Sequence, residues 1–194
     1  SQATGAYIYL NHLIILRGFN PIIHEFGHFL DDFFTMKSQS ERYAETARTA
    51  GAGLSSAYKE LKVALHNWFD EYGWGLLNPT LDRCGLSLEG VSDHRVRERI
   101  LDIRQIYKDW FRNEKELIAC TYVQYVIWKL AELGRTDLAR FWLEACRVGV
   151  TPLFPAEIFK PIKDAYDKFF NRVREIMSDE DVLKWLQRAL WVKF

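Results

Sequence analysis

Net charge is the first thing this sequence lacks. Its 194 residues contain 26 lysines and arginines against 26 aspartates and glutamates. Because no excess of either sign would attract a polyanion, we expect neither nucleic acid nor an anionic membrane as a partner. No apolar run approaches the roughly 18 residues that a membrane span requires. No charged-then-apolar leader opens the chain either, so we predict no secretion signal in this chain.

Cysteine is also scarce. The three cysteines, Cys84, Cys120 and Cys146, are odd in number, widely spaced and form no CxxC pair. They cannot make a closed disulfide framework, which is typical of secreted small domains. The sequence therefore favours a reducing compartment, and we expect a cytoplasmic or virion-associated protein.

The residues that are present predict one largely helical domain. The chain is long enough for a single core, so residues 1–194 are predicted as one domain. Two β-rich runs between Ala6 and Arg17, broken by Asn11-His12, predict a hairpin. The expected fold class is α+β, predominantly α-helical, with a small N-terminal hairpin. Helices are predicted at 21–34, 40–50, 55–70, 92–112, 113–133, 136–148, 156–177 and 178–191.

Two segments are predicted to interrupt the helices. A glycine-rich GAG sequence at 51–53 separates the second and third predicted helices. The stretch 72–90 is rich in turn residues and is predicted as the longest irregular region.

The motif HEFGH, at 24–28, carries the strongest chemical signal. It follows Asn20 and Pro21, which suit an N-cap and a first helical position. On a helix, His24 and His28 lie on one face and can bind the same metal ion. Glu25 is rotated by about a third of a turn, so it can reach a metal-bound water as general base without binding the metal. The pattern predicts a zinc site, against the alternative of two ordinary helix histidines.

Neighbouring residues allow two interpretations each. Gly27 costs about 1 kcal/mol relative to alanine in a helix, and it indicates either close passage of another element at the metal or simple helix packing. Asp31 and Asp32 could orient a ligand histidine, or be solvated carboxylates near the end of the helix.

A catalytic zinc needs a third protein ligand, and the residues leave several candidates. The HxxGxxH continuation of one metallopeptidase class is missing, because Asp31 and Phe34 occupy its glycine and histidine positions. The remaining candidates are His12, His66, His94, Glu45 and Glu116. For Glu116, the sequence Asn113-x-x-Glu116 is also a capping box, in which the glutamate would bond the backbone amide of Asn113.

The segment Asn113–Ala119, NEKELIA, reads as N-E-x-E-x-x-A. With the HEFGH helix and the tyrosine-bearing run before it, the chain resembles the catalytic domain of anthrax lethal factor. It is also similar to peptidase-like domains of large phage and mobile-element proteins. In that family the second glutamate of the pattern binds zinc, so the resemblance implies Glu116 as the third ligand in preference to Glu45. It departs from the family at Cys120, where another glutamate is common.

The resemblance has further implications. It implies a gluzincin-type zincin fold with a helical insertion at 38–94, where the spacing between the two zinc helices is longer than in the family. It implies that a tyrosine before the third ligand stabilises the oxyanion. Tyr107 is the candidate, although it could equally be a core or surface residue of its helix. Zincins pair an extended peptide with an edge strand, and His12–Arg17 is the candidate edge here.

We therefore expect a zinc metalloendopeptidase acting on polypeptide, with Zn²⁺ as its cofactor. The alternative is a catalytically weak or inactive zincin-fold component of a larger polypeptide or assembly, for example a virion. A third hypothesis is a helical interaction module in which HExxH is a coincidence.

Overall fold

The computed structural model describes residues 5–8, 13–16, 22–35, 47–148 and 151–180, and the structural statements below concern these residues. Strand β1 (Gly5–Ile8) pairs antiparallel with β2 (Leu13–Leu16), with Gly5 opposite Leu16. The α-helices are α1 (Ile22–Thr35), α2 (Ala47–Trp68), α3 (Trp74–Leu81), α4 (His94–Arg112), α5 (Glu114–Glu132), α6 (Thr136–Val148) and α7 (Ala156–Ile176). Two π-helical segments, Phe69–Gly73 and Asp82–Leu86, flank α3.

The predicted α+β class is wrong, and the fold is all-α. Helices make up almost all of the described chain, and every described residue of the core lies on a helix or on a connection between helices. The two strands have four residues each and pair only with one another in the described chain. A two-stranded ribbon of that length cannot form a sheet layer, so it does not set the class.

The two predicted interruptions are also wrong. Helix α2 runs without a break through the GAG sequence. Two glycines cost about 1 kcal/mol each, which the apolar face of α2 can offset by packing against α7. Residues 72–86 of the stretch 72–90 are helical. Gly85, in the last of these segments, has a φ of 81°, which favours glycine because it has no Cβ. The predicted C-terminal helix lies almost wholly outside the described residues.

Helix α5 lies at the centre of the fold. It contacts α1, α2, α4, α6 and α7 and is buried around most of its circumference. Such a helix must satisfy its polar side chains internally. Gln124 does so by donating to the carbonyl of Phe154 at 2.7 Å and accepting from its N–H at 2.8 Å. Thr121 similarly lies 3.0 Å from the hydroxyl of Tyr166.

The segment predicted as an insertion shares a core with the rest of the chain. Within 38–94 the described part comprises α2, α3 and the π-helical segments. Its buried apolar residues, such as Leu61, Leu65 and Leu77, belong to one cluster with Leu117 of α5 and Phe159 of α7. No helix in the described ranges has both the length and the apolar character needed to cross a membrane.

Candidate metal centre

The site forms where α1 crosses α5 in close contact. A Cβ placed on Gly27 would lie 2.7 Å from the Cα of Ala119, which is too close for any side chain larger than hydrogen. Gly27 immediately precedes His28, and Ala119 follows Glu116 by one helical turn. The two interpretations of Gly27 therefore coincide, because the same close packing brings the HEFGH helix and Glu116 together.

His24, His28 and Glu116 converge at this crossing. The Nε2 atoms of His24 and His28 are 3.2 Å apart, and the Glu116 Oε2 lies 3.3 Å from the first and 3.5 Å from the second. Tetrahedral zinc with bonds of about 2.0–2.1 Å requires ligand atoms about 3.3 Å apart. The three atoms thus form a triangle with the edges of one face of such a site.

Protons alone do not satisfy this triangle. Each Nε2 carries at most one hydrogen. If both carry one, two N–H groups oppose each other across 3.2 Å, and if only one does, at least one edge joins two lone pairs. Glu116 Oε2 is buried and has no hydrogen-bond partner among the described residues. A cation would satisfy all three lone pairs together, so the donor set fits a metal.

The charge of Glu116 also suits a ligand. Burial raises the pKa of this carboxyl, but the facing imidazoles of His24 and His28 outweigh that effect and bring its pKa down to about 2. Glu116 is therefore a carboxylate at every pH at which the protein would work, as metal binding requires.

The other ligand candidates fall elsewhere. His66 lies 3.0 Å from Glu114, and exposed His94 is 3.5 Å from Glu98. Neither belongs to the cluster. Glu45 and His12 lie outside the described residues.

Helix α5 does not begin with the capping box that was the alternative role for Glu116. Asn113 caps α5 by accepting from the backbone N–H of Lys115 at 3.1 Å. Its own N–H donates to the carbonyl of Trp110 at 3.1 Å, so that donor is already satisfied within the chain. Glu116 is directed at the two histidines instead.

The acidic residues near the motif lie in different surroundings. Glu25 is only 5 % exposed and lies beside His24 on α1. Asp31 is buried and accepts a hydrogen bond of 2.9 Å from Tyr58. The Nδ1 of His28 is buried without a hydrogen-bond partner in the described chain, so Asp31 does not orient that ring. Nothing is described of the side chain of Asp32.

Aromatic residues of α4 line one side of the cluster. The Trp110 ring is nearly parallel to His24, with centroids 6.5 Å apart, and Tyr107 lies 5.4 Å from Trp110. Burial is the main cause that raises the pKa of the Tyr107 hydroxyl well above its ordinary value. Tyr107 therefore remains a protonated hydrogen-bond donor beside the site.

Two neighbours of His24 were not identified as site residues from the sequence. Trp110 stacks on its ring, and Cys120 Sγ lies 3.7 Å from its Nδ1. Helical spacing was the available signal, since Trp110 is three residues after Tyr107 and Cys120 is four after Glu116. The predicted edge strand includes β2, but His12 and Arg17 are outside the described residues, so its role stays a prediction.

Comparison with known proteins adds no relative. No protein-family model, no curated protein sequence and no solved structure matches the chain. The likeness to the lethal factor family therefore rests on the two sequence blocks alone.

Proposed function

We propose that this chain is a zinc-dependent peptidase in which His24, His28 and Glu116 hold the metal. The observation that carries the proposal is the triangle of ligand atoms, with edges of 3.2, 3.3 and 3.5 Å. Two imidazoles and one carboxylate are a ligand set of catalytic zinc, which leaves a fourth position open. The substrate class we propose is polypeptide.

Glu25 is the proposed general base. Zinc, when bound, supplies Lewis acidity that acidifies water and polarises a carbonyl. Glu25 accepts the proton of the attacking water on its carboxylate and delivers it to the leaving amine. Its position next to His24 rotates it about 100° from the ligand face, which keeps it out of the ligand set.

Tyr107 is the proposed oxyanion donor. Its hydroxyl is held protonated by burial, so it can donate a hydrogen bond as negative charge develops on the substrate carbonyl. Trp110 neighbours both Tyr107 and His24, with ring centroids 5.4 Å and 6.5 Å away.

Burial of the site favours a second candidate function. Glu25 and His28 are only 5 % and 7 % exposed, which limits access of a polypeptide to the metal. The second candidate is therefore a zincin-like component of a larger assembly, for example a viral one. In that role zinc would join α1 to α5 without hydrolysis.

Metal content tests the proposal first. We expect near-stoichiometric zinc in the native protein and its loss in Glu116→Ala. Glu114→Ala is the matched control, because Glu114 lies two residues away on the same helix and pairs with His66 and Lys62 instead. A native chain that stays metal-free after reconstitution, or equal zinc in both variants, would refute the ligand set.

Hydrolysis separates the two candidates. Unfolded casein with a fluorescent label is a suitable general substrate. Native activity that disappears in Glu25→Gln while zinc is retained would support the peptidase. Full zinc occupancy without hydrolysis in the native protein would support the structural role.

A further inference from the structure

The His24 ring has a second contact, at the nitrogen that faces away from the proposed metal ligands. Its Nε2 faces His28 and Glu116, while its Nδ1 lies 3.7 Å from the sulfur of Cys120. Cys120 is 1 % exposed and lies one turn after Glu116 on the same face of α5. One face of α5 therefore carries both the carboxylate and the group that touches the back of the imidazole.

We infer that Cys120 is a positioning residue of the metal site, with its sulfur accepting the Nδ1–H of His24. This inference rests on the proposed function, because it concerns how His24 is presented to the metal. A histidine that binds a metal through Nε2 must carry its proton on Nδ1. In most metal sites a carboxylate, carbonyl or water accepts that proton, and here the buried sulfur is the atom in place.

The opposite proton arrangement would not serve a metal. If the thiol donated to Nδ1, the His24 proton would be on Nε2 and would point into the ligand triangle. A sulfur that accepts from Nδ1–H is therefore the arrangement compatible with a metal on Nε2. The Trp110 ring lies nearly parallel to the imidazole, at 22°, with ring centroids 6.5 Å apart.

The two ligand histidines differ in this support. The Nδ1 of His28 is buried without a hydrogen-bond partner in the described part of the chain, whereas that of His24 has the sulfur. Losing Cys120 should therefore affect His24 alone.

The test compares Cys120→Ala and Cys120→Ser with Cys146→Ala. Cys146 is a matched control, because it is 5 % exposed on α6 and belongs to a separate core cluster. Zinc affinity is measured by chelator competition, and the Nδ1–H of His24 is followed by ¹H–¹⁵N NMR of the zinc-loaded protein. Circular dichroism verifies that each variant is folded.

We expect Cys120→Ala to weaken zinc binding about 10-fold, the lower end for loss of a ligand-orienting partner. Serine should recover part of that loss, since its hydroxyl can accept the same proton, and Cys146→Ala should leave affinity unchanged. In the zinc-loaded native protein the sulfur should slow solvent exchange of the His24 Nδ1–H, and Cys120→Ala should shift the resonance of that proton and speed its exchange.

Two results would overturn the inference. One is an unchanged zinc affinity in Cys120→Ala, or an equal loss in Cys146→Ala. The other is a His24 Nδ1–H whose resonance and exchange rate are the same in the zinc-loaded native protein and in Cys120→Ala. A native chain that binds no zinc refutes the proposed function, whereas a native chain that binds zinc and is unaffected by Cys120→Ala refutes this inference alone.

Discussion

Replacing Gly27 by alanine puts a methyl group where α1 and α5 are in closest contact. The new carbon would lie 2.7 Å from the Cα of Ala119 and 3.3 Å from both its Cβ and its carbonyl oxygen. Non-bonded carbons prefer separations of about 3.5–4.0 Å. The two helices must therefore separate by about 1 Å, because the closest obstacle is backbone and cannot rotate away.

That separation acts directly on the metal site. Moving α5 by about 1 Å takes Glu116 Oε2 from 3.3 and 3.5 Å to beyond 4 Å from the histidine nitrogens. The distance between His24 and His28 stays the same, since both lie on α1. Loss of the carboxylate ligand should weaken zinc binding by about 100-fold or more, because even changes behind a ligand cost 10–100-fold.

Stability should change less than zinc affinity. Overpacking a helix crossing costs about 1–3 kcal/mol, and replacing glycine by alanine within a helix recovers about 1 kcal/mol. The net loss should be about 0–2 kcal/mol, which leaves the protein folded. Urea denaturation of the metal-free protein measures this term separately from zinc affinity.

The matched control is Gly75→Ala. Gly75 is also helical, but a Cβ there meets nothing within 4 Å. It should gain up to about 1 kcal/mol with unchanged zinc affinity. Native zinc affinity in Gly27→Ala would refute the reasoning that the crossing distance sets the ligand geometry.

Three further perturbations follow from the structure. Tyr107→Phe should retain zinc but lower kcat about 100-fold on a casein substrate, as loss of one oxyanion donor does; an unchanged kcat would reject that role. Gln124→Ala should cost about 2–4 kcal/mol in urea denaturation, because it leaves both backbone groups of Phe154 buried without their partner. Exposed Gln105→Ala is its control, and equal stabilities would contradict the estimate. Chelating zinc should lower the Tm by roughly 5–10 °C relative to protein with free zinc at 100 times Kd, since about 2.7 kcal/mol of linkage is lost. The metal-free protein should keep its helical circular dichroism at temperatures below its Tm. Complete unfolding on removal of the metal would contradict the reasoning that the hydrophobic core is stable without it.

Local sequence signals predicted most helices of the fold well. The helix predicted at 136–148 is confirmed at both ends, and those predicted at 113–133 and 156–177 are confirmed to within one residue. Helix α4 begins two residues later than predicted, where Asp93 accepts from the N–H groups of Arg95 and Val96. Capping and periodicity are properties of neighbouring residues, so they can be recognised without knowing the fold.

The errors concern features that depend on distant contacts. Glycines at 51 and 53 indicate a break, but α2 continues because its far end packs on α7. The turn-rich 72–90 segment becomes helical partly because Arg104 of α4 bonds Asp82 at 2.5 Å and Asn78 at 2.9 Å. Spacing also does not decide between Glu45 and Glu116, although the choice of Glu116 is not among the errors. The α1–α5 crossing brings Glu116 to the histidines, and that crossing depends on Gly27 meeting Ala119.

A substitution at Glu25 distinguishes a catalytic zinc site from one in which zinc only joins two helices. Glu25→Gln keeps the size and hydrogen-bonding shape of a side chain that is only 5 % exposed, but glutamine cannot accept the proton of an attacking water. A purely structural zinc site should therefore show the same zinc content and the same absence of hydrolysis in the native protein and in the variant. A catalytic site should keep its zinc and lose casein hydrolysis. Urea denaturation verifies that the variant is folded, and zinc content must stay constant for the comparison to hold. Hydrolysis at the native rate by folded, zinc-loaded Glu25→Gln would exclude Glu25 as the base.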